Sequence, residues 1–204
     1  MKAFNNYDEA KKEAEKKPSE KLPAGAYVCK VQAVKYENTD WGDRIALAFD
    51  IVEGEFAGFF QKKFEADTSE DKKWKGRVNI FCPKDDGSEK DKITKKSFAS
   101  WTAAFEESNP GYKWDWDEKK WKDKLVGIVF GETGSVIDGR EVLFTEPRFP
   151  VSVQTVRDGK APTAKFKAKN GYNGTGSGSG SGAASQEEIN SFMKITGGSE
   201  QLPF

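Results

Sequence analysis

Residues 44–51, Arg44-Ile45-Ala46-Leu47-Ala48-Phe49-Asp50-Ile51, alternate without a fault. Ile45, Leu47, Phe49 and Ile51 fall on one side, and Arg44, Ala46, Ala48 and Asp50 on the other. Alternation of period two marks a strand with one buried face. Toward the N-terminus, Asn38-Thr39-Asp40-Trp41-Gly42-Asp43 is turn chemistry. Before that turn, Gly25 to Tyr36 alternates as a second half-buried strand, with Tyr27, Cys29, Val31 and Ala33 against Val28, Lys30 and Gln32. Toward the C-terminus, Gly54 to Gly58 closes the central strand. Phe59-Phe60-Gln61-Lys62-Lys63-Phe64 then reads as a third strand, which completes an antiparallel meander.

Further along, Arg77-Val78-Asn79-Ile80-Phe81-Cys82 reads as an extra strand stopped by Pro83, and Pro83 to Lys92 as a charged loop. Phe98, Trp101, Thr102 and Phe105 recur at helical spacing, and Asn109-Pro110-Gly111 ends that helix. Leu125 to Phe130 and Glu141 to Thr145, joined around Asp138-Gly139, form a closing strand pair. Meander, helix and strand pair is the order of an OB-fold, a small Greek-key barrel whose sheet face and loops bind oligonucleotides. The fold expected is therefore mainly β: an OB-like antiparallel barrel with an inserted helix, followed by a disordered C-terminal tail. The domain would span residues 22–156. A charged N-terminal arm (1–21) precedes it, a basic then Gly/Ser-rich linker (157–185) follows it, and residues 186–204 form a partner-docking tail.

Composition removes whole classes of chemistry. The 204 residues carry 33 Lys plus Arg, 33 Asp plus Glu and no histidine. Without His there is no imidazole general base, no Ser-His or Cys-His nucleophile pair and no His-ligated metal. The chain is 36% hydrophobic and 13% aromatic, rich enough in rings to build a core. Cys29 and Cys82 sit in apolar strand-like runs and read as reduced core thiols, too few for a structural zinc site. No stretch reaches the roughly 20 apolar residues of a membrane span, and the opening residues lack the apolar region of a signal peptide. The expectation is a soluble cytoplasmic protein with no membrane contact.

The neutral total hides an uneven distribution. Arg157, Lys160, Lys165, Lys167 and Lys169 stand against Asp158 alone, whereas Lys194 faces Glu187, Glu188 and Glu200 in the tail. Between them runs Gly174-Thr175-Gly176-Ser177-Gly178-Ser179-Gly180-Ser181-Gly182, a flexible composition. Ser185-Gln186-Glu187-Glu188 fits a capping box ahead of Ile189, Phe192 and Met193. The chain ends on Gln201-Leu202-Pro203-Phe204, apolar residues that read as a docking peptide.

A folded body, a Gly/Ser linker and a terminal Leu-Pro-Phe resemble the architecture of single-stranded-DNA-binding proteins, whose tips recruit replication and repair enzymes. Three segments resemble, more narrowly, single-stranded-DNA-binding proteins of phages of Gram-positive bacteria. They are Lys21-Leu22-Pro23-Ala24-Gly25-Ala26-Tyr27-Val28, Glu53-Gly54-Glu55-Phe56-Ala57-Gly58-Phe59-Phe60 and Glu106-Glu107-Ser108-Asn109-Pro110-Gly111-Tyr112-Lys113-Trp114. The tip departs from the usual pattern, because Glu200 is the sole acid immediately before it. The resemblance implies a non-enzymatic, sequence-independent binder of single-stranded DNA in phage replication or recombination, in the cytoplasm of an infected host. It implies that Leu202, Pro203 and Phe204 dock replication or recombination proteins.

Such binding needs cations along the phosphates and aromatic faces under the bases. Candidate residues are Tyr36, Trp41, Arg44, Phe60 and Lys62, extended by Trp74, Arg77, Phe144 and Arg148. The basic run from Arg157 to Lys169 reads as a strap able to cover phosphates. No cofactor and no metal are implied, and homo-oligomerisation stays open. Asp115 and Asp117 in Trp114-Asp115-Trp116-Asp117-Glu118 are the raw material of a metal-dependent nuclease. The reading preferred for them is a helix cap at Asp117, with the Trp residues packed on the barrel. A protein-interaction adaptor that does not touch nucleic acid is the other alternative.

Overall fold

The alternating stretch is a strand in the computed structural model, and Ile45, Leu47, Phe49 and Ile51 are all at most 2% exposed. The structure describes residues 7, 21–40 and 42–174. In chain order the elements are β1 (Gly25–Glu37), β2 (Arg44–Ile51), helix α1 (Phe59–Ala66), β3 (Arg77–Phe81) and helix α2 (Glu89–Ser108). A 3-10 turn (Glu118–Trp121), β4 (Leu125–Ile137), β5 (Arg140–Val151), helix α3 (Val153–Arg157) and β6 (Lys167–Lys169) follow. The strands form one sheet in the order β3-β2-β1-β4-β5, antiparallel throughout, with β6 added in parallel to the distal half of β4. Among the described residues the fold is thus mainly β, an open mixed sheet with three helices.

Closure is where the structure departs from the expected barrel. β3 and β5 end the sheet and do not pair. β3 has only five residues to offer, and Pro147 and Pro150 of β5 have no N–H to donate to a further strand. Among the described residues no helix is long and apolar enough to cross a membrane.

Phe59–Phe64, expected as a strand, is helix α1 instead. Phe56, Phe59, Phe60 and Phe64 recur at helical rather than strand spacing. The buried carboxylate of Asp50 on β2 accepts hydrogen bonds from the backbone N–H groups of Phe60 (2.9 Å) and Gln61 (3.1 Å), so a strand residue satisfies the free donors of the helix start. The third strand of the meander is β3, the segment read as an extra strand. Helix α2 begins earlier than its apolar stripe indicates, inside the expected loop at 83–92. The Ser88 hydroxyl accepts from the Asp91 N–H, and the Asp91 carboxylate accepts from Lys84 and Asp85 and pairs with Lys95 at 3.0 Å.

The core lies on the face of the sheet covered by α1, α2 and the 3-10 turn. Trp121 and Phe105 are fully buried and stack with ring centroids 4.5 Å apart. Phe49, Phe60 and Phe130 meet beside them edge-on or stacked. Each buried ring contributes on the order of 1.5–3 kcal/mol through removal from water. Cys29 is fully buried and Cys82 half-buried, both as free thiols. Burial pushes the Cys29 thiol well above its ordinary pKa, with the Asp50 carboxylate adding to the effect.

The other face of β4 is covered by chain expected to be a linker. From α3 onward, residues 153–172 return across Gly127, Gly131 and Gly134. Arg157 forms an ion pair with Glu53, Asn170 donates to the Ser135 hydroxyl at 3.1 Å, and the Asn173 N–H donates to Glu141 at 2.9 Å. Glycine makes the approach feasible: a Cβ at Gly134 would lie 2.5 Å from the Tyr172 ring, and one at Gly131 would lie 2.7 Å from the Ala164 Cβ. The folded body therefore extends to residue 174 rather than ending at 156.

Candidate nucleic-acid interface

The return segment covers β4 and, through α3, the start of β1. The outer face of the later part of β1 with β2 and β3 carries no helix among the described residues, and its short Ala46 is buried between longer neighbours. Register places this face in three rows. Glu37, Arg44 and Phe81 lie side by side, then Lys35, Ala46 and Asn79, then Ala33, Ala48 and Arg77. A bulge between Val31 and Ala33 puts Ala33 in its row while Val31 stays in the core. Neighbouring strands lie roughly 4.8 Å apart, so the three alanines form a low floor bordered by longer side chains. At the edges of that floor Phe81 is 51% exposed and Arg77 is exposed.

Charge on this face is partly neutralised. Arg44 donates to Glu37 through Nη2 (2.7 Å) and Nε (2.9 Å), and Lys35 stands 3.3 Å from the same carboxylate. The hydrogen bonds from Arg44 and Lys35 hold Glu37 below the ordinary carboxylate range. Arg77 has no ion pair among the described residues, so its guanidinium is available to a ligand.

Arg44 and Arg77 are thus brought onto one surface, as expected. The other candidates are dispersed. Tyr36 points to the opposite side of β1, in register with Ile45, and donates to the Asp43 carboxylate at 2.5 Å. That hydrogen bond pushes its phenol up to about 12. Phe60 is a core residue, 7% exposed and packed edge-on against Phe49, because its segment is a helix facing inward. Trp74 is half-buried against Phe64, and its indole N–H donates to the carbonyls of Phe49 (3.1 Å) and Gly76 (3.0 Å), so it fastens the β2–β3 connection. Lys62 lies on α1, with its ammonium on the Ala57 carbonyl.

Phe144 is half-buried on β5 opposite Thr133. Arg148 is the extra residue where the β4–β5 ladder shifts. Its guanidinium, 13% exposed, donates through its two terminal nitrogens to Glu146 (2.7 Å), the Glu132 carbonyl (2.8 Å) and the Thr133 hydroxyl (2.6 Å), while the buried Nε has no partner among the described residues. Arg148 is therefore a structural rivet and not a phosphate contact. Trp41 and the tip residues Leu202, Pro203 and Phe204 lie outside the described residues.

The basic run is not a free strap. Arg157 pairs with Glu53, Lys160 with Asp158, and Lys169 with Glu146 at 2.9 Å, which leaves Lys165 and Lys167 exposed on either side of Phe166. Burial pulls the Glu146 carboxyl upward, but Lys169, Thr133 and Arg148 outweigh it and hold the group below its ordinary range.

Sequence reasoning passed over Phe81, although the alternation of Arg77, Asn79 and Phe81 against Val78, Ile80 and Cys82 contained the signal. It also assigned Trp116 to packing, whereas that ring is 79% exposed. Asp115 is ion-paired with Lys120, and Asp117 caps the 3-10 turn by accepting from the Lys119 N–H, the role preferred for it. Among the described residues no three His, Cys, Asp or Glu side chains gather where a metal ion could be held. No protein-family model matches the chain, and no curated protein matches it either.

Proposed function

We propose that the protein binds single-stranded DNA without sequence preference, through the outer face of β1, β2 and β3. On this reading it serves phage DNA replication or recombination in the host cytoplasm as a non-enzymatic module. One observation carries the proposal: a floor of small residues, Ala33, Ala46 and Ala48, is flanked by an exposed ring at Phe81 and by the exposed Arg77, which has no ion pair among the described residues. Bases stack on the ring, worth about 1–3 kcal/mol each, while Arg77 and Lys35 follow the phosphates. The order β3-β2-β1-β4-β5, with a helix between the third and fourth strands, supports reading the sheet as an opened OB-fold, which binds oligonucleotides on this same surface. The tip Leu202-Pro203-Phe204 would recruit replication or recombination proteins to the bound strand.

Anisotropy of a fluorescent oligo-dT, titrated with the full chain at rising salt, tests the proposal. Saturable binding at about 50 mM salt is expected, with a shallow salt slope of roughly −1.4 if two phosphates are neutralised. Absence of binding, or equal affinity for a duplex of the same length, refutes it.

A further inference from the structure

A second surface lies on the core side of the sheet, beyond the end of the core. There Tyr36, Ile45, Cys82, Phe98, Trp114 and Trp116 line an apolar groove of about 660 Å³, bounded by the loop before α2 and by the 3-10 turn. Trp116 is its most unusual member. Its φ is +66°, a left-handed conformation that is costly for a bulky residue. One face of its indole stacks on Phe98 (centroids 6.4 Å apart, planes at 12°) and the other stands in solvent, since the residue is 79% exposed. The backbone is held by its neighbours: Asp115 pairs with Lys120 and Asp117 caps the turn. Beside it, the Trp114 indole N–H is buried with no acceptor among the described residues. A strained backbone here keeps a large ring at the surface, with one face on Phe98 and the other open.

The charge around these rings selects the occupant. Asp85 and Glu118 line the groove, and among the described residues Lys95 is its one lining cation, shared between Asp85 and Asp91. Two carboxylates therefore hold that ammonium, and Glu118 adds a further negative charge to the lining. Asp43 stands behind Tyr36, and Asp43 and Glu118 act on both Tyr36 and Cys82 in the sense that a negative potential requires. Lys84 lies along Gly42, and Lys120, near Trp116 in the chain, is paired with Asp115. A phosphate chain or the carboxylate end of a peptide is repelled by such a rim, whereas a cation is drawn to it. Aromatic faces with carboxylates at their edge are the chemistry that recognises a guanidinium or ammonium.

We propose that this groove docks a segment of a partner protein that presents an arginine over the open face of Trp116, with apolar neighbours against Phe98 and Tyr36. The site is separate from the outer face of β1–β3, so one body would hold a nucleic-acid strand and a basic partner on opposite sides of its sheet. The proposal does not depend on DNA binding.

The test follows the side-chain indole N–H resonances of the ¹⁵N-labelled full chain, which has six tryptophans, with the Trp116 signal assigned as the one lost in Trp116→Phe. The probes are acetyl-Leu-Arg-Leu-amide, acetyl-Leu-Glu-Leu-amide and oligo-dT. The arginine peptide is expected to shift the Trp116 signal saturably and the glutamate peptide to leave it in place. The double substitution Asp85→Asn with Glu118→Gln should weaken the arginine peptide about threefold or more, because each partly solvated charge contributes roughly a factor of two to binding. Trp116→Ala should abolish peptide-induced shifts at Trp114 while the remaining spectrum stays folded. Absence of a saturable shift, equal shifts from the two peptides, or a Trp116 shift produced by oligo-dT overturns the proposal, the last by giving the groove to nucleic acid.

Discussion

Replacing Phe81 by alanine separates binding from folding, because the ring stands half out of the protein before any ligand arrives. Its exposure of 51% means that removal forfeits only part of a buried phenylalanine's contribution, about 1 kcal/mol of stability. If a base stacks on that ring, the same substitution removes about 1–3 kcal/mol from binding, a rise in Kd of roughly 5- to 150-fold. Phe81 is uncharged, so the slope of log Kd against log salt should not move. Arg77→Ala makes the contrast: it should weaken binding and also reduce the slope by about 0.7, the share of one phosphate contact on a single strand. Anisotropy with labelled oligo-dT at four salt concentrations, beside thermal melts of each variant, provides both quantities. Binding by Phe81→Ala within twofold of the unaltered chain, with its melting temperature nearly unchanged, would refute the assignment of this face.

Other expectations concern the fold. Gly134→Ala places a Cβ 2.5 Å from the Tyr172 ring, so residues 165–172 should detach and trypsin should cut at Lys165 or Lys167 several-fold faster than in the unaltered chain. Phe105→Ala empties the centre of the stack with Trp121 and should cost about 3–5 kcal/mol, read from urea unfolding. Glu146 has a folded pKa held below its ordinary value of 4.5, so its contribution to stability is complete above that pH and is lost as pH falls through the lower folded value. Glu146→Gln should therefore flatten the acid limb of the stability profile and leave the alkaline limb alone, as checked by melting temperature against pH. Tyr36 runs the other way: with its phenol raised from 10.0 to about 12, its hydrogen bond to Asp43 is intact below pH 10 and fails as pH rises through the folded value. Burial also raises Tyr27 and Tyr112, so absorbance titration near 295 nm should find several late-ionising tyrosines and lose one late step in Tyr36→Phe.

The strands were legible wherever one face is buried, because period-two alternation is a local consequence of that burial. Arg44–Ile51 and the first half of β4 needed nothing beyond their own residues. Phe59–Phe64 misled for a physical reason. Its first turn is capped by the Asp50 carboxylate, a partner on the preceding strand that the residues of the segment do not reveal. The candidate site was legible in part. Arg44 and Arg77 belong to alternating strands, whereas Arg148 was indistinguishable in sequence from a surface cation until Glu146 and Thr133 were found around it.

By itself the sequence determined the absence of imidazole chemistry, the strand-rich body with one central helix, and the cap at Asp117, since composition, alternation and capping act over a few residues. Only the tertiary structure decided that the sheet stays open, that residues 157–174 belong to the body, and which cations remain free. Those outcomes depend on contacts between residues far apart in the chain, such as Arg157 with Glu53 or Tyr172 over Gly134, whose geometry no local pattern records.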